Sequence, residues 1–114
     1  MEGNSMLAPL YELADGDKVF FIDMLQSMAA AIPADIAAIE NAIEQKHITL
    51  LCRNAHHMKS SIMYSNAAEL KALLAMIESQ NESAAAIDEI KSLLPKLKGF
   101  AEVLLALIHK ELAN

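Results

Sequence analysis

Residues 48–64 read ITLLCRNAHHMKSSIMY, and the apolar positions in this stretch recur at steps of three and four residues. That spacing is typical of an α-helix that turns one face to a core. The apolar stripe comprises Ile48, Leu51, Ala55, Met58 and Ile62. At about 100° of rotation per residue, His56 and His57 fall on opposite flanks of this stripe. We therefore predict a helix over about residues 48–64, with both imidazole rings at least partly exposed.

The same helical period runs upstream of this stretch and predicts two helices there. A short helix over about Met6–Ala14 ends at Asp15-Gly16-Asp17, which indicates a stop followed by a new N-cap. A long helix then extends to about Gln45. Pro33 lies inside it and is expected to kink it or to divide it in two, because proline lacks the amide donor of an internal helical hydrogen bond.

Two further helices are predicted downstream of the quoted stretch. One begins near Asn66, where Glu69 three residues later resembles a capping box. A polar loop follows at residues 79–83, and Ser83 is a suitable N-cap for the last helix. From Ile87 to Ile108 the apolar residues alternate at steps of three and four. This pattern predicts a continuous seam that packs against other helices.

Composition and loop lengths indicate the fold class. The 114 residues suffice for one domain, and 54% of them are hydrophobic, mainly Ala, Leu, Ile and Met. The chain has no Trp, three Gly and three Pro, which favours helix over sheet. Short loops between long helices imply antiparallel neighbours. We therefore expect residues 1–114 to form a single all-α domain, an up-down antiparallel four-helix bundle with a short extra N-terminal helix.

Charge and segment composition narrow the class of partner. The formal net charge is −6, and basic residues are nowhere clustered enough to follow a phosphate backbone, so we expect no nucleic acid. No uninterrupted apolar run is long enough for a membrane span, and residues 1–5 lack the basic start of a signal peptide. The expectation is a cytoplasmic protein without membrane contact. A bundle that closes its own core is expected to be a monomer.

Reactive side chains concentrate on the predicted helix at residues 53–61, which read RNAHHMKSS. Lys59 lies three residues after His56, on a neighbouring patch of the helix surface. It lies two residues after His57, which turns it well away from that ring. The ammonium group is therefore placed to offset negative charge added to His56, and it does nothing for His57.

These residues resemble the signature of the histidine-containing phosphotransfer (HPt) domain family. The segment Ala55–Ser61, followed by Asn66-Ala67, Leu70 and Ile77-Glu78, is similar to the family's Ala-His-x-Leu-Lys-Gly-Ser, its Gly-Ala or Asn-Ala helix start and its later Leu-Glu. The resemblance also extends upstream to Gly16-Asp17, and so covers nearly the whole chain.

The resemblance implies a role for each matching residue. His56 would be the phosphorylated residue and Lys59 would neutralise the phosphoryl charge. Glu78 matches a position that carries Gln or Glu near the active ring, where it would accept a hydrogen bond from the second ring nitrogen and fix the tautomer. Ser60 departs from the family's Gly, and its side chain would either narrow access to His56 or donate a hydrogen bond to the phosphoryl oxygens.

The resemblance also implies the partners, which are receiver domains of response regulators or of hybrid histidine kinases. The chain would be a phosphocarrier between receiver aspartates, without a cofactor of its own. It has no Gly-rich phosphate loop, so we expect neither ATP binding nor autokinase activity. Any Mg²⁺ would be held by the receiver's acidic pocket. Besides Lys59 and Ser60, the docking surface expected around His56 comprises Thr49, Cys52, Arg53 and Met63.

Two other interpretations compete with this one. A metal site is disfavoured, because adjacent histidines cannot ligate one ion from a single helix face and no His pair at i, i+4 is present there. A non-catalytic adaptor, HPt-like but without transfer, stays open because Ser60 replaces Gly. His57 is taken as a surface residue without a role, and Cys52 as a small, partly buried residue rather than a reactive thiol.

Overall fold

The computed structural model describes residues 5–79 and 84–113. Within these ranges the chain forms five α-helices and no strand. The helices are α1 (Ala8–Ala14), α2 (Lys18–Glu44), α3 (Ile48–Ser61), α4 (Ala68–Ser79) and α5 (Ala84–Ala113). The all-α fold class predicted from composition and periodicity is confirmed.

Helices α2 to α5 form an antiparallel bundle in which each long helix packs on its chain neighbours and α5 returns to α2. Pairs of contacts show the antiparallel direction. From Asn54 to Ser61 on α3, the partners on α2 run back from Ala38 to Asp35. From Lys98 to Leu105 on α5, they run back from Glu40 to Ile32. The Asn54 amide donates to the Ala38 carbonyl at 3.1 Å between α3 and α2. Lys98 Nζ lies 3.3 Å from Glu40 Oε2 between α5 and α2. The bundle therefore has the predicted up-down order, with α3 flanked by α2 on one side and α4 on the other.

The core is a single apolar cluster to which all five helices contribute. The predicted stripe of α3 is completely buried at Leu51, Ala55 and Met58, and so is Ile62 just after the helix. The last helix buries Ile87, Ile90, Leu97, Ala101, Leu104 and Ile108. Burial of these side chains is the main stabilising contribution, at roughly 25 cal/mol for each Å² of apolar surface removed from water. It also anchors α3 so that its two histidines point outward.

The short helix α1 closes the bundle beside the C-terminal part of α5. Leu7 and Leu10 are fully buried, and the Tyr11 ring stacks on Phe21 with centroids 4.4 Å apart. The Tyr11 hydroxyl donates to Glu111 Oε2 at 2.8 Å. Burial, together with this hydrogen bond to a carboxylate, raises the pKa of Tyr11 to about 12. The phenol therefore remains a protonated donor that ties α1 to α5.

The observed start of α2 agrees with the prediction from the sequence, and the observed start of α4 differs from it in its cap. Asp17 Oδ1 accepts from the Phe20 amide at 3.0 Å, which confirms the predicted N-cap of α2. Helix α2 continues through Pro33, so the proline does not divide it. Helix α4 begins at Ala68, two residues after the predicted start near Asn66. The Asn66 side-chain N–H donates to the Ser5 carbonyl at 2.8 Å, and among the described residues its oxygen accepts no hydrogen bond from the Glu69 amide. Asn66 thus ties the N-terminal segment to α4, and the predicted capping box is wrong.

Two further expectations concern the ends of α3 and α5. Helix α3 ends at Ser61, three residues before the predicted end, and residues 62–64 form a turn. The predicted loop was residues 79–83, but Ser79 is the last residue of α4. The rest of that loop and the proposed N-cap Ser83 lie outside the described residues.

Helix α2 is long and apolar enough, by length and composition alone, to cross a bilayer. Its most apolar 18-residue window has a mean hydropathy of 1.4. Asp23 and Asp35 interrupt the apolar run in the sequence. The helix as a whole is still apolar enough on average, because two charged residues lower its mean hydropathy only slightly. The core helix of a soluble bundle passes the same test, and α2 sends Leu25, Met28 and Ile32 into the core.

Candidate functional site

Helix α3 presents both histidines to solvent. Because Ala55 and Met58 are completely buried, the intervening residues must leave the core on either flank of the helix. The side chain of His56 is 66% exposed and that of His57 is 70% exposed. His56 faces the side of α4, and His57 faces the side of α2. The partial exposure predicted for both rings is confirmed.

Glu78, in the last turn of α4, bridges the two residues that the sequence placed together on α3. Its Oε1 lies 2.6 Å from His56 Nδ1 and its Oε2 lies 2.8 Å from Lys59 Nζ. One carboxylate therefore holds the imidazole and the ammonium group side by side. The structure brings together His56, Lys59 and Glu78, three of the residues to which the resemblance gives a role.

The contact with Glu78 assigns the tautomer of His56. A carboxylate can only accept hydrogen bonds, so the short Nδ1···Oε1 contact requires the hydrogen of the neutral ring to lie on Nδ1. The lone pair then lies on Nε2, at the opposite edge of a ring that is two-thirds exposed. The outward nitrogen of His56 therefore carries the free lone pair of the neutral ring.

The same contacts keep Glu78 ionised. The hydrogen bond from Lys59, followed by that from His56, lowers the pKa of the Glu78 carboxyl below its ordinary value of 4.5. Both donors favour the charged form, and they outweigh the opposing effect of partial burial. The site thus carries a fixed negative charge behind the ring and a neutralising ammonium group beside it.

This shift predicts an acid-dependent stability contribution from Glu78. A lowered pKa in the folded state stabilises the fold above pH 4.5, and the contribution is lost as the pH falls through the folded value. We expect the melting temperature of the wild type to exceed that of Glu78→Gln near neutrality, and the gap to close on acidification. Thermal melts followed by circular dichroism at constant ionic strength measure it. A difference in melting temperature that is the same at every pH would contradict a lowered pKa for Glu78.

Ser60, at the position where the resemblance expects Gly, lies one turn after His56. Its hydroxyl donates to the His56 backbone carbonyl at 3.4 Å, so the side chain folds back on its own helix. Ser60 itself is exposed. In this rotamer the hydroxyl contacts the backbone of His56 and leaves the outer edge of the imidazole open.

The residues predicted to surround His56 differ in exposure. Thr49, Arg53 and Met63 are exposed, although Met63 lies in the turn after α3 rather than on the helix. Cys52 is half-buried, and its thiol donates to the Ile77 carbonyl at 3.5 Å. Burial, and then the negative charge of Glu78, raises the pKa of this thiol. Cys52 is therefore a contact between α3 and α4, at the edge of the predicted surface.

A second group of polar residues, on the opposite flank of α3, is absent from the sequence prediction. Asp35 on α2 is only 7% exposed. Its Oδ1 lies 2.8 Å from His57 Nδ1, and its Oδ2 accepts from the Ser61 hydroxyl at 2.8 Å. His57 is a surface residue, as predicted, and its contact with Asp35 was not foreseen from the sequence. The signal that was available is an aspartate inside the apolar stripe of α2, between Ile32 and Ile36.

A shallow groove lies between α2 and α3 beside these residues. Its volume is about 280 Å³. It is lined by Met24, Ser27, Met28, Ala31, Ser60, Ser61 and Tyr64. Other large exposed apolar side chains on the same two segments are Val19 and Phe20 on α2 and Met63 after α3. The face around Ser60 is thus partly apolar, and it adjoins His56.

Residues 5–79 and 84–113 contain no group of three or more His, Cys, Asp or Glu side chains that could hold a metal ion. Each histidine on α3 instead meets a single carboxylate on a different neighbouring helix.

Comparison with known proteins assigns the family. The sequence model of the Hpt domain matches residues 23–100, which include α3, α4 and the whole His56–Lys59–Glu78 group. Searches of curated proteins and of solved structures returned no match. The match spans more than half of the chain, and the helical bundle agrees with it. The chain therefore belongs to the Hpt domain family, whose members serve phosphotransfer signalling in two-component systems.

Proposed function

We propose that this protein carries a phosphoryl group on Nε2 of His56, between the aspartates of receiver domains. The single observation that carries the proposal is the hydrogen bond of 2.6 Å between Nδ1 of His56 and Glu78. It leaves Nε2 unprotonated at the outer edge of an exposed ring. Family membership supports a phosphotransfer role, and the geometry supports this residue and this nitrogen.

The transfer step needs only groups that the two proteins supply. The Nε2 lone pair attacks the phosphorus of an aspartyl phosphate on the receiver, a P–N bond forms, and the acyl P–O bond breaks. The aspartate leaves as a carboxylate, while the Nδ1 hydrogen stays on the ring. The reverse step returns the group to the aspartate of a second receiver. In both directions catalysis is mainly a matter of positioning and electrostatics.

Lys59 and Glu78, which are paired with each other beside the ring, both support this step. Once phosphorylated at Nε2, the imidazole keeps its Nδ1 hydrogen bond to Glu78, which stabilises positive charge on the ring. The ammonium group of Lys59, held at 2.8 Å by the same carboxylate, lies beside His56 and offsets the phosphoryl charge. We assign both as positioning and charge-balancing residues, with His56 as the nucleophile.

The receiver would dock over His56, on the face that carries Thr49, Arg53 and Ser60, with Cys52 at its edge. The groove beside Ser60 and the exposed side chains of Phe20, Met63 and Tyr64 extend this face with apolar surface. A mixed polar and apolar patch of modest size suits a complex that forms and dissociates in each transfer. We further propose that the protein is cytoplasmic and monomeric. Light scattering on the purified chain tests the monomer, and cell fractionation tests the location.

The test uses purified receiver domains loaded with radiolabelled phosphate. We expect wild-type protein to acquire an acid-labile, base-stable label, as a phosphohistidine does. His56→Gln is expected to lose at least about tenfold in labelling rate, since it lacks the nucleophile. His109→Gln, which changes an exposed histidine far along α5, is the matched control and should label like the wild type.

Two outcomes would contradict the proposal. Full labelling of His56→Gln would move the phosphoryl group to another residue. Receiver binding without any label on the wild type would instead favour the adaptor function, with Ser60 in place of Gly as its structural feature.

A further inference from the structure

His57 has the same arrangement around its ring as His56, built from different residues. Its Nδ1 lies 2.8 Å from Oδ1 of Asp35, and its side chain is 70% exposed. The corresponding values for His56 are 2.6 Å from Glu78 and 66%. In both cases a carboxylate from a neighbouring helix holds the inner nitrogen and leaves the outer nitrogen toward water. The two rings leave α3 about 100° apart.

The partner of His57 is held more firmly than that of His56. Asp35 is 7% exposed, and its second oxygen accepts from the Ser61 hydroxyl at 2.8 Å. A nearly buried carboxylate with both oxygens bonded keeps its orientation, because any other rotamer would leave it without partners. Asp35 therefore requires the hydrogen of the neutral His57 ring to lie on Nδ1, which leaves the lone pair on Nε2.

His47 shows that this tautomer is not general in the chain. Nδ1 of His47 accepts from the Leu50 amide at 3.1 Å, at the N-terminus of α3. In the neutral ring its hydrogen therefore lies on Nε2, and the outer nitrogen is no nucleophile. The arrangement at His56 and His57 is thus a specific feature of these two residues.

A cation is available on the flank of His57 as well. Arg53 lies four residues before His57, the spacing at which side chains on one helix face are neighbours. It is exposed, and its guanidinium makes no ion pair within residues 5–79 and 84–113. A guanidinium is well suited to bind phosphoryl oxygens.

We propose that His57 is a second phosphoryl-accepting histidine, which reacts through Nε2 while Asp35 holds Nδ1. The donor class is an activated phosphoryl compound, either a small phosphoramidate or acyl phosphate or the aspartyl phosphate of a receiver. The Nε2–P bond forms as the donor's P–N or acyl P–O bond breaks, and ammonia or a carboxylate leaves. The Nδ1 hydrogen remains between the ring and Asp35. This site does not depend on the role proposed for His56.

The test uses the full chain carrying His56→Gln, with phosphoramidate as the small donor. Mass spectrometry at neutral pH measures phosphate at His57 and at His109, an exposed histidine without a hydrogen-bond partner among the described residues. We expect His57 to react at least about fivefold faster than His109, because a carboxylate at Nδ1 makes Nε2 the better nucleophile. We also expect phosphate on Nε2 alone, whereas His109 should give both ring isomers, which nitrogen-edited NMR distinguishes.

Asp35→Asn and Ser61→Ala, each in the His56→Gln chain, test the cause of this selectivity. Both should lower the reactivity of His57 toward that of His109 and allow the Nδ1 isomer to form. A circular dichroism melt checks that each variant is folded, and Ser61→Ala, the milder change, serves if Asp35→Asn does not fold. A receiver loaded with labelled phosphate replaces phosphoramidate in a second arm. Label at His57 in that arm assigns the receiver as a donor, and label from phosphoramidate alone assigns small donors.

Equal labelling of His57 and His109, or a mixture of isomers at His57 with Asp35 present, overturns the proposal. Neither result depends on whether wild-type protein accepts phosphate from a receiver at His56. Failure of this inference and failure of the proposed function are therefore separately visible.

Discussion

Lys59→Ala is expected to slow receiver-dependent phosphorylation of His56 by about 10²-fold, the size of effect produced by removing one preorganised charge-stabilising donor. The ammonium group lies 2.8 Å from Glu78 and beside the ring that receives the phosphoryl group. Without it, the negative charge of Glu78 and that of the incoming phosphoryl group are no longer balanced. Single-turnover transfer from a labelled receiver measures the rate at His56 directly.

The matched control for this variant is Lys98→Ala. Lys98 also forms an ion pair across two helices, with Glu40 at 3.3 Å, but that pair lies between α5 and α2, away from α3. The control should transfer at the wild-type rate, and Lys59→Arg should retain part of the activity because it keeps the charge. Similar transfer rates for Lys59→Ala and Lys98→Ala would show that Lys59 takes no part in phosphoryl transfer.

Leu51→Ala is expected to lower the free energy of unfolding by about 2–5 kcal/mol, through lost transfer energy and the cavity left behind. Leu51 is completely buried in the stripe that anchors α3. A loss of this size is a large fraction of the roughly 5–15 kcal/mol that stabilises a domain. Urea unfolding followed by circular dichroism at 222 nm measures it.

Leu13→Ala makes the same chemical change at a leucine that is 44% exposed. Its expected cost is under about 1 kcal/mol, because much of its side chain is already in contact with water. Equal losses for the two variants would mean that the α3 stripe does not anchor the bundle. The comparison bears on function, because the buried stripe is what turns the two histidines outward.

Several features of the fold followed from residue spacing because they are local. The apolar stripe of α3 predicted both its burial and the exposure of His56 and His57. The Asp17 cap also followed from the sequence, since a side-chain oxygen reaches the amide three residues later without help from the rest of the fold. The contact of Asn66 did not, because its side-chain N–H donates to the Ser5 carbonyl, which is distant in sequence.

The packing of α2 on α3 explains why the contact between His57 and Asp35 was not predicted from the sequence. Glu78 was recognised through the family resemblance, whereas no spacing rule on α3 points to Asp35. Asp35 meets His57 only because α2 and α3 run antiparallel with Asn54 opposite Ala38. A shift of one helical turn in that packing would separate the pair by about 5.4 Å.

By itself, the sequence determined that the chain folds into helices, which faces of them are buried, and that His56 and Lys59 lie next to each other on one helix. These properties depend on the period of the α-helix and on the burial of apolar side chains. Only the tertiary structure decided which carboxylate meets which ring, and hence which nitrogen faces water. Hydrogen bonds between helices depend on their relative register, which is set by the packing of the whole core rather than by any one segment.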